Sequence, residues 1–90
     1  MELKELKEQA KTLEPVLRIG KFGLTATVHN EVEKLLKKRK LVKIKILNNC
    51  PVVELDELVN EIVEKSNSIL VSKIGSVFTI YREKKIKAPL

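Results

Sequence analysis

The residues best placed to do chemistry are Gly20-Lys21-Phe22-Gly23, which interrupt the short apolar run "VLRI" and are followed at once by a helical pattern from Thr25. Glycines at both ends permit positive backbone dihedrals and close approach of another backbone, which a Cβ would obstruct. A loop that empties into a helix start also offers unpaired amides and the positive end of the helix dipole, both suited to a phosphate. Lys21 adds a mobile cation, and Arg18 stands just before it. Phe22 has two readings. It can stack on an unpaired base, a contact worth roughly 1–3 kcal/mol, or fold back over the core, and the sequence leaves both open.

Alone, a GxxG is a weak signal, because any tight turn can contain one. The longer nucleotide loops GxxxxGK[ST] and GxGxxG are absent. The KH-type RNA module clamps a nucleic-acid backbone with a GxxG, but there it joins two helices; here the preceding element reads as a strand.

Charge supports a polyanionic partner. The net +6 is concentrated: residues 16–47 carry +7 and residues 69–90 carry +4, whereas residues 1–15 carry −1 and residues 48–68 carry −4. Such a field suits nucleic acid, while solubility alone is served by mixed charge. With two Phe, one Tyr and no Trp, an extensive base-stacking platform is not expected.

Other reactive types are scarce. Lone Cys50 has no partner for a disulfide and no metal-ligand neighbours, and a buried or idle thiol is expected. His29, one turn into the helix after the loop, reads as a solvated helical histidine beside a possible ligand. Glu57, Glu61 and Glu64 share a helical face and are expected to pair with nearby lysines. No nucleophile and base, paired carboxylates or metal cluster emerges, so we expect no catalytic residues, no cofactor and no metal. The charged N-terminus leads us to expect neither a secretory signal nor a spanning segment, hence a reduced, cytoplasmic setting without membrane contact.

Ninety residues allow one small core, and the elements that must hold the loop are readable from periodicity. Leu3, Leu6, Ala10 and Leu13 form a helical stripe over 2–13, which Pro15 ends. "VLRI" fits a strand. From Thr25, a candidate N-cap without a capping box, a helix runs to about Lys40 with Val28, Val32, Leu35 and Leu36 inward. "LVKIKIL" alternates Val42, Ile44 and Ile46 with Lys43 and Lys45, giving one buried and one wet face. After the turn "NNCP", Val53 to Val63 mark a third helix, and strands over 69–74 and 77–81 meet at a Gly75-Ser76 hairpin. The order αβαβαββ predicts an α/β two-layer sandwich, with a mixed four-stranded sheet and helices mainly on the side away from Lys43 and Lys45. Tyr81 is then placed on the open sheet face.

"IGKFGLT" followed by a helix and "LVKIKI", and later "KIGSVFTIYR", resemble the CRM domain (chloroplast RNA splicing and ribosome maturation), or YhbY-like family, over nearly the whole chain. The resemblance implies an RNA-binding fold similar to the C-terminal domain of bacterial translation initiation factor three, with sheet order one, two, four, three and only the last strand antiparallel. It implies that Gly20, Lys21, Phe22 and Gly23 contact RNA, and that the partner is ribosomal RNA or a precursor of the large ribosomal subunit. We divide the chain into one domain over 1–82 and a basic tail over 83–90, and expect a monomer.

Parallel strands would bring Lys45 and Lys73 to the loop's edge, with Lys43 on the open face linking it to the far one. Lys37, Lys38, Arg39 and Lys40 lie roughly 20 Å away along the helix, and read equally as RNA contacts or as cations complementing a helix C-terminus. Arg82, Lys84, Lys85 and Lys87 read as an auxiliary arm or as guards of an edge strand. The candidate RNA-binding set is thus Arg18, Gly20, Lys21, Phe22, Gly23, Thr25, Lys37, Lys38, Lys43, Lys45 and Lys73. The alternative is an adaptor docking its first or its acidic third helix on a ribosomal or assembly protein. A hydrolase acting on RNA is the remotest reading.

Overall fold

The computed structural model describes residues 2–51 and 54–83. The elements are α1 (Leu3–Thr12), β1 (Leu17–Ile19), α2 (Ala26–Arg39), β2 (Leu41–Ile46), α3 (Leu55–Ser66), β3 (Ile69–Ile74) and β4 (Val77–Tyr81). This is the αβαβαββ order read from periodicity, and the sheet runs β1-β2-β4-β3. β1 is parallel to β2, and β4 is antiparallel to both β2 and β3. The first three strands therefore share a direction, and their C-terminal ends lie along one edge.

Element boundaries have local causes. The Thr25 hydroxyl accepts the Val28 amide at 3.2 Å and caps α2. α3 stops where Asn67 takes a left-handed conformation (φ 55°), and the Ser68 amide turns back to the Val63 carbonyl. Gly75 (φ 60°) occupies the first central position of the β3–β4 hairpin, where a II′-type turn needs glycine.

One sheet face carries the main core. Val32 and Leu36 of α2 and Leu58, Val59 and Ile62 of α3 pack on Ile19, Val42, Ile44, Ile46, Phe78 and Ile80, all buried. Each such side chain contributes about 1.5–3 kcal/mol when fully removed from water.

The other face is not open. Leu6 and Ala10 of α1 pack on Val71, with Leu41 and Tyr81 against them, so Tyr81 is half-buried against α1 and does not lie on an open face. Lys43 lies beneath α1, its Nζ donating to the carbonyls of Ala10 (3.0 Å) and Leu13 (3.1 Å). The last carbonyls of a helix lack intrahelical donors, and an ammonium both satisfies them and complements the negative helix end. Period-two alternation separates the two faces by polarity, but does not say whether the polar face meets water or a helix terminus. The stripe on α1 is also shorter than its sequence suggests, since Leu3 is 47% exposed.

Arg82, grouped above with the basic tail, is a clasp. Nη1 donates to Glu33 Oε1 at 3.0 Å and to the Ser66 carbonyl at 2.9 Å, and Nη2 donates to Glu33 Oε2 at 2.9 Å. The end of β4 is thereby tied to α2 and to the last turn of α3. The expected tail cations Lys84, Lys85 and Lys87 lie outside the described residues.

The Arg82 hydrogen bond outweighs the opposing desolvation and holds the Glu33 carboxyl below the usual glutamate range. A carboxyl with a depressed folded-state pKa stabilises above its unfolded value, about 4.3, and loses that contribution as pH falls through the folded value. Glu33→Gln should therefore lower the urea midpoint at neutral pH, with the difference from wild type vanishing in acid. Arg82→Met also strips the Ser66 carbonyl of its donor, and should cost about 1–3 kcal/mol at neutral pH by the same measurement.

Candidate nucleic-acid interface

The register of β1 on β2 sets the site: Leu17 opposes Ile44, Arg18 opposes Lys45 and Ile19 opposes Ile46. The Leu47 amide extends the pairing to the Ile19 carbonyl at 2.8 Å. Two loops consequently leave the sheet side by side, Gly20–Gly23 from β1 and residues 47–51 from β2. A Cβ on Gly20 would stand 3.5 Å from Asn49 Oδ1 and from Leu47 Cδ1, and one on Gly23 would stand 3.7 Å from Pro51 Cγ. Only Gly23 uses the left-handed region (φ 67°). Gly20 has ordinary room and no positive φ, so only one of the two glycines is required by local backbone conformation.

The Gly23 amide donates to the Gly20 carbonyl at 2.9 Å and closes the turn. The amides of Lys21, Phe22 and Leu24 have no protein partner among the described residues. They stand at the mouth of α2, where the helix dipole is positive. Lys21 is exposed, and its Nζ lies 5.3 Å from the centroid of the Phe22 ring. Phe22 itself is 78% exposed; the ring does not fold back over the core.

The remaining candidates separate into groups. Arg18 and Lys45 sit opposite one another, both exposed, on the α1 side of the sheet past the end that α1 covers. The same row continues across the sheet through Val77 to Ile74, whose side chain is 78% exposed. Lys73 shares the edge but faces α3, with Nζ 3.3 Å from Asp56 Oδ1. Lys43 leaves the set because it holds α1. Thr25 belongs to the site as its cap. Lys37 and Lys38 are exposed in the last turn of α2, at the end remote from the loop.

His29 is not simply solvated: its Nε2 lies 3.4 Å from Glu61 Oε2 of α3, which also occupies one of the three acids expected to pair with lysines. Cys50 packs against the main core, and burial pushes its thiol up. Asn49, exposed beside Gly20, and its exposed neighbour Asn48 are not among the sequence candidates. Their signal lay in the topology, since parallel neighbouring strands must end in neighbouring loops. Among the described residues, no group of three or more His, Cys, Asp or Glu is placed to hold a metal ion, and no helix is long and apolar enough to cross a membrane.

Against known families, the chain matches the model of the CRS1 / YhbY (CRM) domain over residues 1–82. It is 30% identical over 80 residues to the "Probable RNA-binding protein YqeI" of Bacillus subtilis (strain 168), covering 89% of this chain and 82% of that protein. It is 33% identical over 87 residues to an "RNA-binding protein" of Haemophilus influenzae, covering 93% and 87% of the two chains. Among solved structures, the hypothetical protein SAV1595 from Staphylococcus aureus superposes with a TM-score of 0.76 at 31% identity, over 96% of this chain and 88% of that one.

Two lysines that alternate on one strand should behave differently. Lys43→Met removes the donor of the Leu13 carbonyl and leaves the Ala10 carbonyl only the Leu13 amide, and is expected to cost about 1–3 kcal/mol. Lys45→Met should stay within about 0.5 kcal/mol of wild type. Urea unfolding of the two variants checks the contrast.

Proposed function

The chain belongs to the CRS1 / YhbY (CRM) domain family, and from that membership we propose that it is a non-catalytic RNA-binding protein gripping a phosphate of the ribose-phosphate chain at Lys21–Leu24. The observation that carries this reading is the set of amides at Lys21, Phe22 and Leu24 without a protein partner among the described residues, set at a helix mouth inside the +7 segment. Backbone amides fix the position of a phosphate without reading sequence. Lys21 supplies charge directly at that phosphate, and Arg18 with Lys45 extends the cationic track across the strand ends. Phe22, exposed beside the grip, is available to stack on a base next to the held phosphate.

The RNA we propose is ribosomal, in precursors of the large subunit, with a cytoplasmic site of action; the support is the partner that the resemblance to the CRM family implies. The adaptor reading is less favoured, because two acids of the −4 segment already serve within the fold, Asp56 with Lys73 and Glu61 with His29.

Lys21→Glu combined with Lys45→Glu reverses two exposed charges without touching the core. It should reduce affinity for ribosomal RNA fragments at least about tenfold while leaving the urea midpoint unchanged. For about four to six neutralised phosphates on a single strand, the wild-type log-log salt slope should lie near −3 to −4, and the variant's should be shallower by about 1 to 1.5. Equal affinities, or a slope near zero, would remove the phosphate grip.

A further inference from the structure

A polar groove runs beside the loop between α2 and α3, with a volume of about 590 Å³, within the ~300–1,000 Å³ of small-ligand sites. Its walls are Leu24, Thr25 and Ala26 at the start of α2, His29, Asn30 and Glu33 one to two turns on, and Glu61 and Lys65 from α3. We propose that this groove takes one unpaired guanine of the bound RNA, adjacent to the phosphate held at Lys21–Leu24. The inference rests on the RNA-binding reading above and adds base selectivity to it.

Placement comes first. Leu24, whose own amide belongs to the phosphate grip, lines the groove, and His29 follows Thr25 by about one helical turn, 5.4 Å. A nucleotide whose phosphate sits on the loop therefore has its base within reach of the groove. The half-buried His29 ring offers a flat face for stacking, and Leu24 and Ala26 supply apolar wall.

Selection follows from hydrogen-bond chemistry. Glu33 is committed to Arg82, whereas Glu61 meets His29 with Oε2 3.4 Å from Nε2. Its side chain is 45% exposed, and the carboxylate has acceptor sites to spare. A carboxylate only accepts, so it favours a base presenting adjacent donors. Guanine alone does so on its Watson–Crick edge, with N1–H beside N2–H2. Adenine and cytosine set a ring-nitrogen acceptor beside their amino group, and uracil flanks its single N3–H with two carbonyls; each turns a lone pair toward the carboxylate. Asn30, exposed at the rim, can donate its amide to guanine O6.

The test uses short single-stranded oligouridines carrying one central guanosine, adenosine or inosine, with fluorescence anisotropy on the purified protein. Wild type should bind the guanosine oligomer about fivefold or more tightly than all-uridine, and inosine, lacking the N2 amine, should lose most of that gain. Glu61→Ala should bring the guanosine-to-uridine affinity ratio to about one, a ratio in which the effect of the lost negative charge on both oligomers cancels, and Asn30→Ala should lower that ratio. Equal binding of guanosine and uridine oligomers by wild type, or a preference that survives Glu61→Ala, overturns the guanine site while leaving the phosphate grip standing. Absence of binding to every oligomer, together with ribosomal RNA affinity unchanged by Lys21→Glu with Lys45→Glu, overturns both.

Discussion

The parallel pairing of β1 with β2 is the constraint on which the molecule depends. β1 is only three residues long, yet its register against β2 is extended at both ends by single hydrogen bonds, Val16 amide to Lys43 carbonyl and Leu47 amide to Ile19 carbonyl. Because the strands are parallel, their loops leave on the same edge, and the GKFG turn is buttressed by Leu47, Asn49 and Pro51. An antiparallel arrangement would send those loops to opposite edges and leave the turn unsupported. The same pairing sets Arg18 beside Lys45, so one backbone register builds both the loop and the cationic pair next to it.

The sheet divides labour between its faces and ends. α2 and α3 bury the apolar residues of one face, while α1 covers the far part of the other and is held by Lys43. What α1 leaves uncovered is the strand-end region with Arg18, Lys45 and Ile74. Cations are used in two ways that a net charge cannot separate. Lys43 and Arg82 satisfy helix-terminal carbonyls and hold elements together, whereas Lys21, Arg18 and Lys45 face solvent around the loop. The second group is where a polyanion gains most, because its charges are not already compensated at short range.

Much of this was legible in the sequence because hydrophobic period directly reports element type. The alternation of Val42, Ile44 and Ile46 and the stripe through Val32 and Leu36 gave β2 and α2, and Thr25 marked the cap. Sheet order and strand direction came with the family resemblance carried by "IGKFGLT", "LVKIKI" and "KIGSVFTIYR". Which side α1 takes was not legible. Part of its docking face is Val71, which sits at an irregularity between Leu70 and Ser72 in β3; a one-residue register shift in a strand exchanges its faces and leaves no mark on composition. The fates of Lys43 and Arg82 follow from that docking and from long-range contacts, so local charge patterns could not assign them. The groove was invisible for the same reason, since its walls come from helices whose His29 and Glu61 are 32 positions apart.

The central claim is that RNA is held at the strand-end edge by the amides of Lys21, Phe22 and Leu24, which have no partner among the described residues. Titrating the 15N-labelled protein with a ribosomal RNA fragment, followed by amide chemical shifts, addresses those groups one by one. The account requires the largest perturbations at Lys21, Phe22 and Leu24, with Arg18 and Lys45 next and α1 unchanged. Perturbations centred on α1 or on Lys37–Lys40, with the turn amides unmoved, would contradict it.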